Sequence, residues 1–298
     1  MGEDLMFSGQ LMALAAALSG ALNSSLYNRM GDRLTSDMIG YVRMFIAVPM
    51  GLLLLLIFEG SLPFGYSLQT YLAAFASGII GFFLCDYFMF KAIVTLGARE
   101  TSVIMTLNPA ITAVFSLILF SEKLSGNQAM GMLITVSGVI LMILGENGSK
   151  EKKNDATLKT GIICAFLGAV LQSVSDVTAK AALSDIPSLS TNMLRLLSGF
   201  AAWIVFGFFK RKDYSNQLGT FKDPSYVVMM VLAVILGPVL GVTLTLGAMR
   251  LIPAGVVRSL YQTSPVFLIP IDLLRKKKIS MLSLLGTLVS VAGVILLF

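Results

Sequence analysis

The chain has 298 residues, of which 56% are hydrophobic and 13% charged, with a formal net charge of +6 and a mean hydropathy of +0.85. Soluble domains carry roughly a quarter charged residues, so the composition excludes a soluble globular protein and indicates an integral membrane protein. The pI near 9.3 does not imply a nucleic-acid partner, because the lysines lie in short loops between apolar runs, as in chains whose loop charges set membrane orientation.

The N-terminal MGEDLMFSG is acidic and runs straight into a full-length apolar stretch, so it does not read as a cleavable signal. Ten spans are expected, over about 8–28, 38–58, 69–91, 101–121, 127–145, 159–181, 188–209, 225–249, 254–274 and 281–298. Each is near the ~20 residues a helix needs to cross hydrocarbon. The one polar linker of any length, 146–158, divides the chain into 1–145 and 159–298, each with five spans. Five is odd, so the second half enters the membrane upside down relative to the first.

The halves are also related in sequence. A shift of 152 sets Gly9, Ala13, Ala17 and Arg43 on Gly161, Ala165, Ala169 and Arg195. A shift of 156 sets Ala98 and Pro109 on Ala254 and Pro265, and a shift of 155 sets Gly131 and Gly138 on Gly286 and Gly293. Ordered matches with small changes of shift indicate a duplicated chain, and with the odd parity they give an all-α fold of two inverted five-helix repeats. That design suits a carrier whose site lies at mid-depth between the repeats. The small residues at spacing four in spans 1 and 6 are expected to let helix backbones approach. Most tyrosines, Tyr27, Tyr41, Tyr66, Tyr71, Tyr214 and Tyr226, fall at span ends and read as an interfacial belt.

The chemistry available is limited. The chain has no His and only two Cys, Cys85 and Cys164, both inside expected spans. Imidazole relays, His-ligated metals and Ser-His triads are excluded, and no G-x-S-x-G, Walker loop or metal-spaced Cys pair occurs. No catalytic residue, metal or cofactor is expected.

Pro109 and Pro265 each remove a backbone donor in mid-span, so they are expected helix breaks. Thr106 and Asn108 flank the first; Tyr261, Gln262 and Ser264 flank the second. These, with Gln172 and Asn23, are the candidate substrate-binding residues; the competing reading is that they only satisfy the carbonyls the prolines free. Asp86 and Asp176 are charges inside spans, which are expensive and usually functional. Either is a candidate to bind a substrate amine or carry a coupling proton, Asp176 the more so because Asp86 falls on apolar Val242 in the other half. Lys180, four residues beyond Asp176, is an alternative partner for that acid. Arg43 and Arg195 are read as gating or structural charges whose stems reach toward headgroups, and Glu122 as an interfacial end cap.

The run LGARETSVIMTLNPAITAVFSLILFSEKLSGNQAMGMLITVSGVIL resembles the EamA-type repeat of the drug/metabolite transporter superfamily, with Pro in mid-span 4, Glu122 closing it and a glycine-bearing fifth span. YVRMFIAVP and MLRLLSGFA resemble its second helix, with Arg43 and Arg195. The chain departs from the pattern in two places: RKKKIS replaces SEKLS in the second half, and spans 1 and 6 lack the family's Trp. The resemblance implies a multi-pass protein of the cell membrane whose substrates fall among amino acids, organic cations, nucleosides or related metabolites; the expected cargo is a small polar metabolite such as an amino acid or amine, and a coupling proton or substrate exchange is the expected energy source. The two buried acids tilt the expectation toward a substrate with an amine. The alternatives are a drug-type efflux carrier and, from another class, a membrane-embedded enzyme or lipid-handling protein.

Lys and Arg gather in loops 1–2, 3–4, 5–6, 7–8 and 9–10, whereas Lys123, Lys180, Arg250 and Arg258 are assigned to the other side. The positive-inside rule therefore places those five loops in the cytoplasm and both termini outside; the family resemblance implies cytoplasmic termini. A Cys introduced at Asn154, with Cys85 and Cys164 removed, is expected to resist impermeant maleimide in intact cells, and ready labelling there reverses the orientation.

Overall fold

Hydrocarbon holds no water for a backbone N–H or C=O, so a spanning segment satisfies its own polar groups as a helix. The computed structural model describes residues 2–30, 33–96, 98–145, 155–209, 217–274 and 280–298. Among them, α1 is Gly2–Met30, α2 Ser36–Phe58, α3 Leu68–Thr95, α5 Gly126–Gly145, α6 Asp155–Ala182, α7 Ser188–Phe209, α8 Pro224–Leu251 and α10 Met281–Leu297. Two helices are in pieces: α4 is Ala98–Met105 and Asn108–Phe120, and α9 is Ala254–Tyr261 and Ser264–Leu274. Eight of the described helices, α1 to α8, are long and apolar enough to cross a membrane, and α10 is shorter at 17 residues. Most of the expected linker, 146–154, lies outside the described residues, as do Tyr214 and the side chains of 271–279; residues 155–158 already belong to α6.

Local sequence sets the ends. Thr35, Ser67 and Ser280 are N-caps whose hydroxyls accept from the backbone N–H three residues on, which satisfies an orphan donor of the first turn. Helix α4 stops at Ser121, which takes a left-handed conformation at φ 54°. The break in α4 falls between Met105 and Asn108, and that in α9 between Tyr261 and Ser264, as the two prolines require.

Two further interruptions were not expected. Helix α3 widens into a π-turn over Ile80–Cys85, and α8 does the same over Ile235–Gly241. Under the shift of 156 these segments coincide, so both halves carry a π-turn and a proline break at equivalent depths.

The packing repeats with the halves exchanged. Helix α1 packs on α8 and α9, and α6 packs on α3 and α4. Gly9 lets α1 lie against Leu251 and Ile252, and its equivalent Gly161 lets α6 lie against Thr95 and Leu96. Ala13, Ala17, Ala165 and Ala169 are fully buried along the same stripes. Helices α5 and α10 run together along their glycines: a methyl on Gly138 would stand 2.3 Å from the Ser290 N, and one on Gly286 2.4 Å from the Met142 N. This is the all-α inverted-repeat fold, and the glycine stripes are packing surfaces.

Gly138→Val forces these backbones apart. It is expected to lower stability by about 1–3 kcal/mol, the usual penalty of overpacking, read as a lower melting temperature in detergent. An unchanged melt would remove the α5–α10 contact.

Candidate functional site

The interruptions are held by side chains from elsewhere in the chain. Pro109 deprives the Met105 carbonyl of its helical donor, and the Gln262 side chain donates to that oxygen at 2.8 Å. The Tyr261 carbonyl, freed by Pro265, accepts from Ser264 at 2.6 Å. Thr106 donates to the Val103 carbonyl at 2.6 Å, and Asn108 donates to Ser173 of α6 at 3.0 Å. Part of the hydrogen-bonding capacity of these proline-flanking residues is therefore used on the backbone.

Helix α7 serves both π-turns. The Trp203 indole donates to the Phe82 carbonyl at 2.5 Å, and the Asn192 amide donates to the Pro238 carbonyl at 2.8 Å. Phe82 and Pro238 are the same position in the two halves. The π-turn glycines admit polar neighbours from α1 and α6: a methyl on Gly81 would stand 2.4 Å from the Ser175 hydroxyl, and one on Gly237 2.4 Å from the Asn23 amide. π-turns inside α-helices often mark functional sites, and these two border a cavity of about 370 Å3.

That cavity collects most of the candidate residues. Asn23, Asn108, Gln172, Tyr261, Gln262, Ser264 and Pro265 line it, together with Asp86, Asp176, Arg43 and Arg195. Thr106, Pro109 and Glu122 do not. Among the lining residues, Asp176, Leu246 and Arg258 lie toward one end of their helices, and Tyr27, Ile93, Thr101 and Ile143 lie toward loops 1–2, 3–4 and 5–6.

Its charges are paired in a way the sequence did not disclose. Arg43 of α2 forms an ion pair with Asp86 of α3, both buried. Arg258 of α9 pairs with Oδ1 of Asp176, which also accepts from Gln172 at 2.9 Å; Asp176 is 1% exposed. Arg258 also lies 5.3 Å from the centre of the Tyr261 ring. Arg195 donates to the Ser175 hydroxyl at 3.1 Å and faces the Phe82 ring at 5.4 Å.

These observations correct several expectations. Arg43 and Arg195 are interior charges, because each has a partner within the bundle. Arg258 belongs to the cavity rather than to a loop end. Three arginines and two aspartates line the space, so the acids do not outnumber the bases and the tilt toward an amine loses its ground. Tyr27 turns its buried hydroxyl inward rather than joining an interfacial belt. Lys180 pairs with Glu122 instead of Asp176. Glu122 is more than an end cap of its own helix: it accepts from the Ala254 N–H at 3.2 Å and so caps the start of α9.

Of the residues that sequence reasoning passed over, Arg258 carried a usable signal, since it falls inside the expected span 254–274 and an arginine there is expensive unless paired. Phe82, Trp203 and Asn192 matter through π-turns that no residue pattern announces. Among the described residues, no group of three His, Cys, Asp or Glu is placed to hold a metal ion.

Breaking a buried pair from one side typically costs 3–5 kcal/mol, because a bare charge stays behind. Asp176→Asn is expected to lose about that much stability, and adding Arg258→Gln to recover most of it, read by detergent melts. A double variant no more stable than Asp176→Asn alone would mean that the two side chains are not a coupled pair.

Comparison with known proteins follows the same division of the chain. The EamA-like transporter family matches residues 7–144 and again residues 159–298. A relative from Bacillus subtilis (strain 168), named as the uncharacterized transporter YyaM, is 27% identical over 169 residues, which cover 55% of this chain and 53% of that protein. The chain thus spans about half the length of this curated relative. A solved structure described only as the crystal structure of a protein aligns with a TM-score of 0.73 at 17% identity, covering 98% of this chain and 95% of the other; that likeness concerns the fold.

Proposed function

The chain belongs to the EamA-like transporter family, and from that premise we propose that it is a secondary active transporter moving a small polar organic metabolite across the cell membrane by alternating access. The observation that carries this reading is the cavity itself. Both halves line it, and it is bordered by two π-turns and two proline breaks at equivalent positions. Irregular backbone at membrane depth is tolerated where it lines such a space, and inverted repeats place substrate sites at their interface.

The size and lining fit a small polar substrate. Ligand sites run from about 300 to 1,000 Å3, and residues lining this one carry buried polar atoms without a hydrogen-bond partner: Asn23 Oδ1, Asp176 Oδ2 and Arg195 Nε. Asn108, Gln172, Tyr261, Gln262 and Ser264 complete the proposed site from α4, α6 and α9. Alternation requires a closed end and an open one. The Glu122–Lys180 pair with the Ala254 N–H, and the contact of Gly255 with Ala113, form the proposed closure beyond Asp176 and Arg258. The proposed coupling is a proton or an exchanged substrate, with Asp176 as the group that answers to it.

Purified protein in proteoliposomes, tested with a pool of labelled small metabolites including amino acids, amines and carboxylates, is expected to give saturable flux that accelerates when the opposite side is preloaded. Product formation in place of flux identifies an enzyme, and flux confined to bulky apolar cations identifies a drug-type carrier; either overturns the reading.

A further inference from the structure

Arg195 differs from every other charge in the cavity. Arg43 faces Asp86, and Arg258 faces Asp176. Arg195 has no carboxylate within ion-pair distance among the described residues, although it is 3% exposed and lines the cavity. Its hydrogen-bond and ring partners are neutral, and the one carboxylate whose field it feels, Asp176, is already engaged by Arg258. The Ser175 hydroxyl accepts one N–H and donates its own O–H to the Ser77 carbonyl at 2.7 Å, and the Phe82 ring covers one face. Its Nε is buried without a hydrogen-bond partner.

The repeat explains how this arose. Arg43 and Arg195 occupy one position in the two halves. The acid that serves Arg43 is Asp86, and under the shift of 156 its counterpart is Val242, which also lines the cavity. The second half keeps the arginine and lacks the acid. A guanidinium does not shed its proton at neutral pH, and an unpaired buried charge is costly. Across the groups facing the space, namely Arg43, Asp86, Asp176, Arg195 and Arg258 with neutral Tyr27 and Tyr261, one positive charge is left over.

We propose that Arg195 docks the carboxylate of the substrate, and that the carrier takes small monocarboxylate anions in preference to zwitterions, amides or amines. A single negative charge neutralises the space, and a zwitterion leaves the surplus in place. A planar guanidinium also matches a carboxylate through two parallel hydrogen bonds, and the free Nε is one of the donors such a fork needs. This inference rests on the carrier reading above for its context, but its first test does not require transport.

Thermal melts of purified protein are to be run with lactate, butyrate and benzoate, their amides, the matching primary amines, and 4-aminobutyrate. Wild type is expected to be stabilised by the carboxylates above all others. Arg195→Gln is expected to melt no lower than wild type without ligand, and to weaken carboxylate affinity by about tenfold to a hundredfold, the range for a lost charge-assisted hydrogen bond; Arg195→Lys is expected to recover part of it. A ligand-free melt of Arg195→Gln well below wild type makes the arginine a structural group and overturns the proposal. So does equal stabilisation of Arg195→Gln by carboxylates, a preference of wild type for amines, or no response of wild type to any carboxylate. Counterflow in proteoliposomes separates the two readings. Carboxylate stabilisation without flux refutes the carrier and leaves the Arg195 site standing, whereas amine flux unaffected by Arg195→Gln leaves the carrier and refutes the site.

Discussion

A backbone carbonyl left bare in hydrocarbon costs several kcal/mol, because no water is there to take the missing bond. This chain interrupts four helices near mid-depth, two by proline and two by π-turns, and each time a freed or tilted carbonyl has found a side-chain donor. Gln262 serves Met105, Ser264 serves Tyr261, Trp203 serves Phe82 and Asn192 serves Pro238. Two of these bonds originate in α7, and two, from Gln262 and Trp203, reach from the second half to the first. The breaks are therefore fixed relative to one another, and the space they border has a defined shape.

The same constraint governs the charges. An arginine or aspartate inside the bundle is retained only against a partner, and here the partners come from different helices: α2 with α3, and α9 with α6. The Arg258–Asp176 pair and the Glu122–Ala254 hydrogen bond both join α9 to the group of helices packed around α6. Polar contacts thus hold the two groups together beside Asp176 and Arg258, while apolar and glycine contacts fill the periphery. On the carrier reading proposed above, a conformational change that parts the groups there has to break charge-assisted bonds.

Span positions, the duplication, its inversion and both proline breaks were legible in the sequence because each leaves a local mark: an apolar run, a repeated residue at constant shift, a proline. The candidate polar residues were legible as a set, and the cavity gathers most of them. Their partners were not. Arg43 and Asp86 are 43 positions apart, and nothing in either neighbourhood tells that they meet; Asp176 and Arg258 are 82 apart. The π-turn over Ile80–Cys85 contains no proline, and its loosened ladder depends on Trp203 from α7. Gln262 stands beside the break in its own half, but the carbonyl it serves lies at the break of the other half. Local pattern reports where backbone and charge are placed at a cost; the side chain that offsets the cost is set by tertiary packing.

In a carrier built on an inverted repeat, the opposite facing state reuses the same contacts with the halves exchanged. The closure at Glu122 cannot be reused in that way. Under the shifts that relate the halves, Ala254 corresponds to Ala98, but Lys180 corresponds to Asn28 and Glu122 to Lys277. The counterparts of the carboxylate and its lysine are thus a lysine and an amide, which cannot form an ion pair. The closure that is present sets a carboxylate at the start of α9 and a lysine beside that carboxylate. On the alternating-access reading proposed above, the sequence therefore supplies no equivalent of this closure for the opposite state. A ligand changes the balance of two such states only by its differential affinity for them. If the proposed carrier reading holds, the substrate, rather than the symmetry of the repeat, is the agent that shifts that balance.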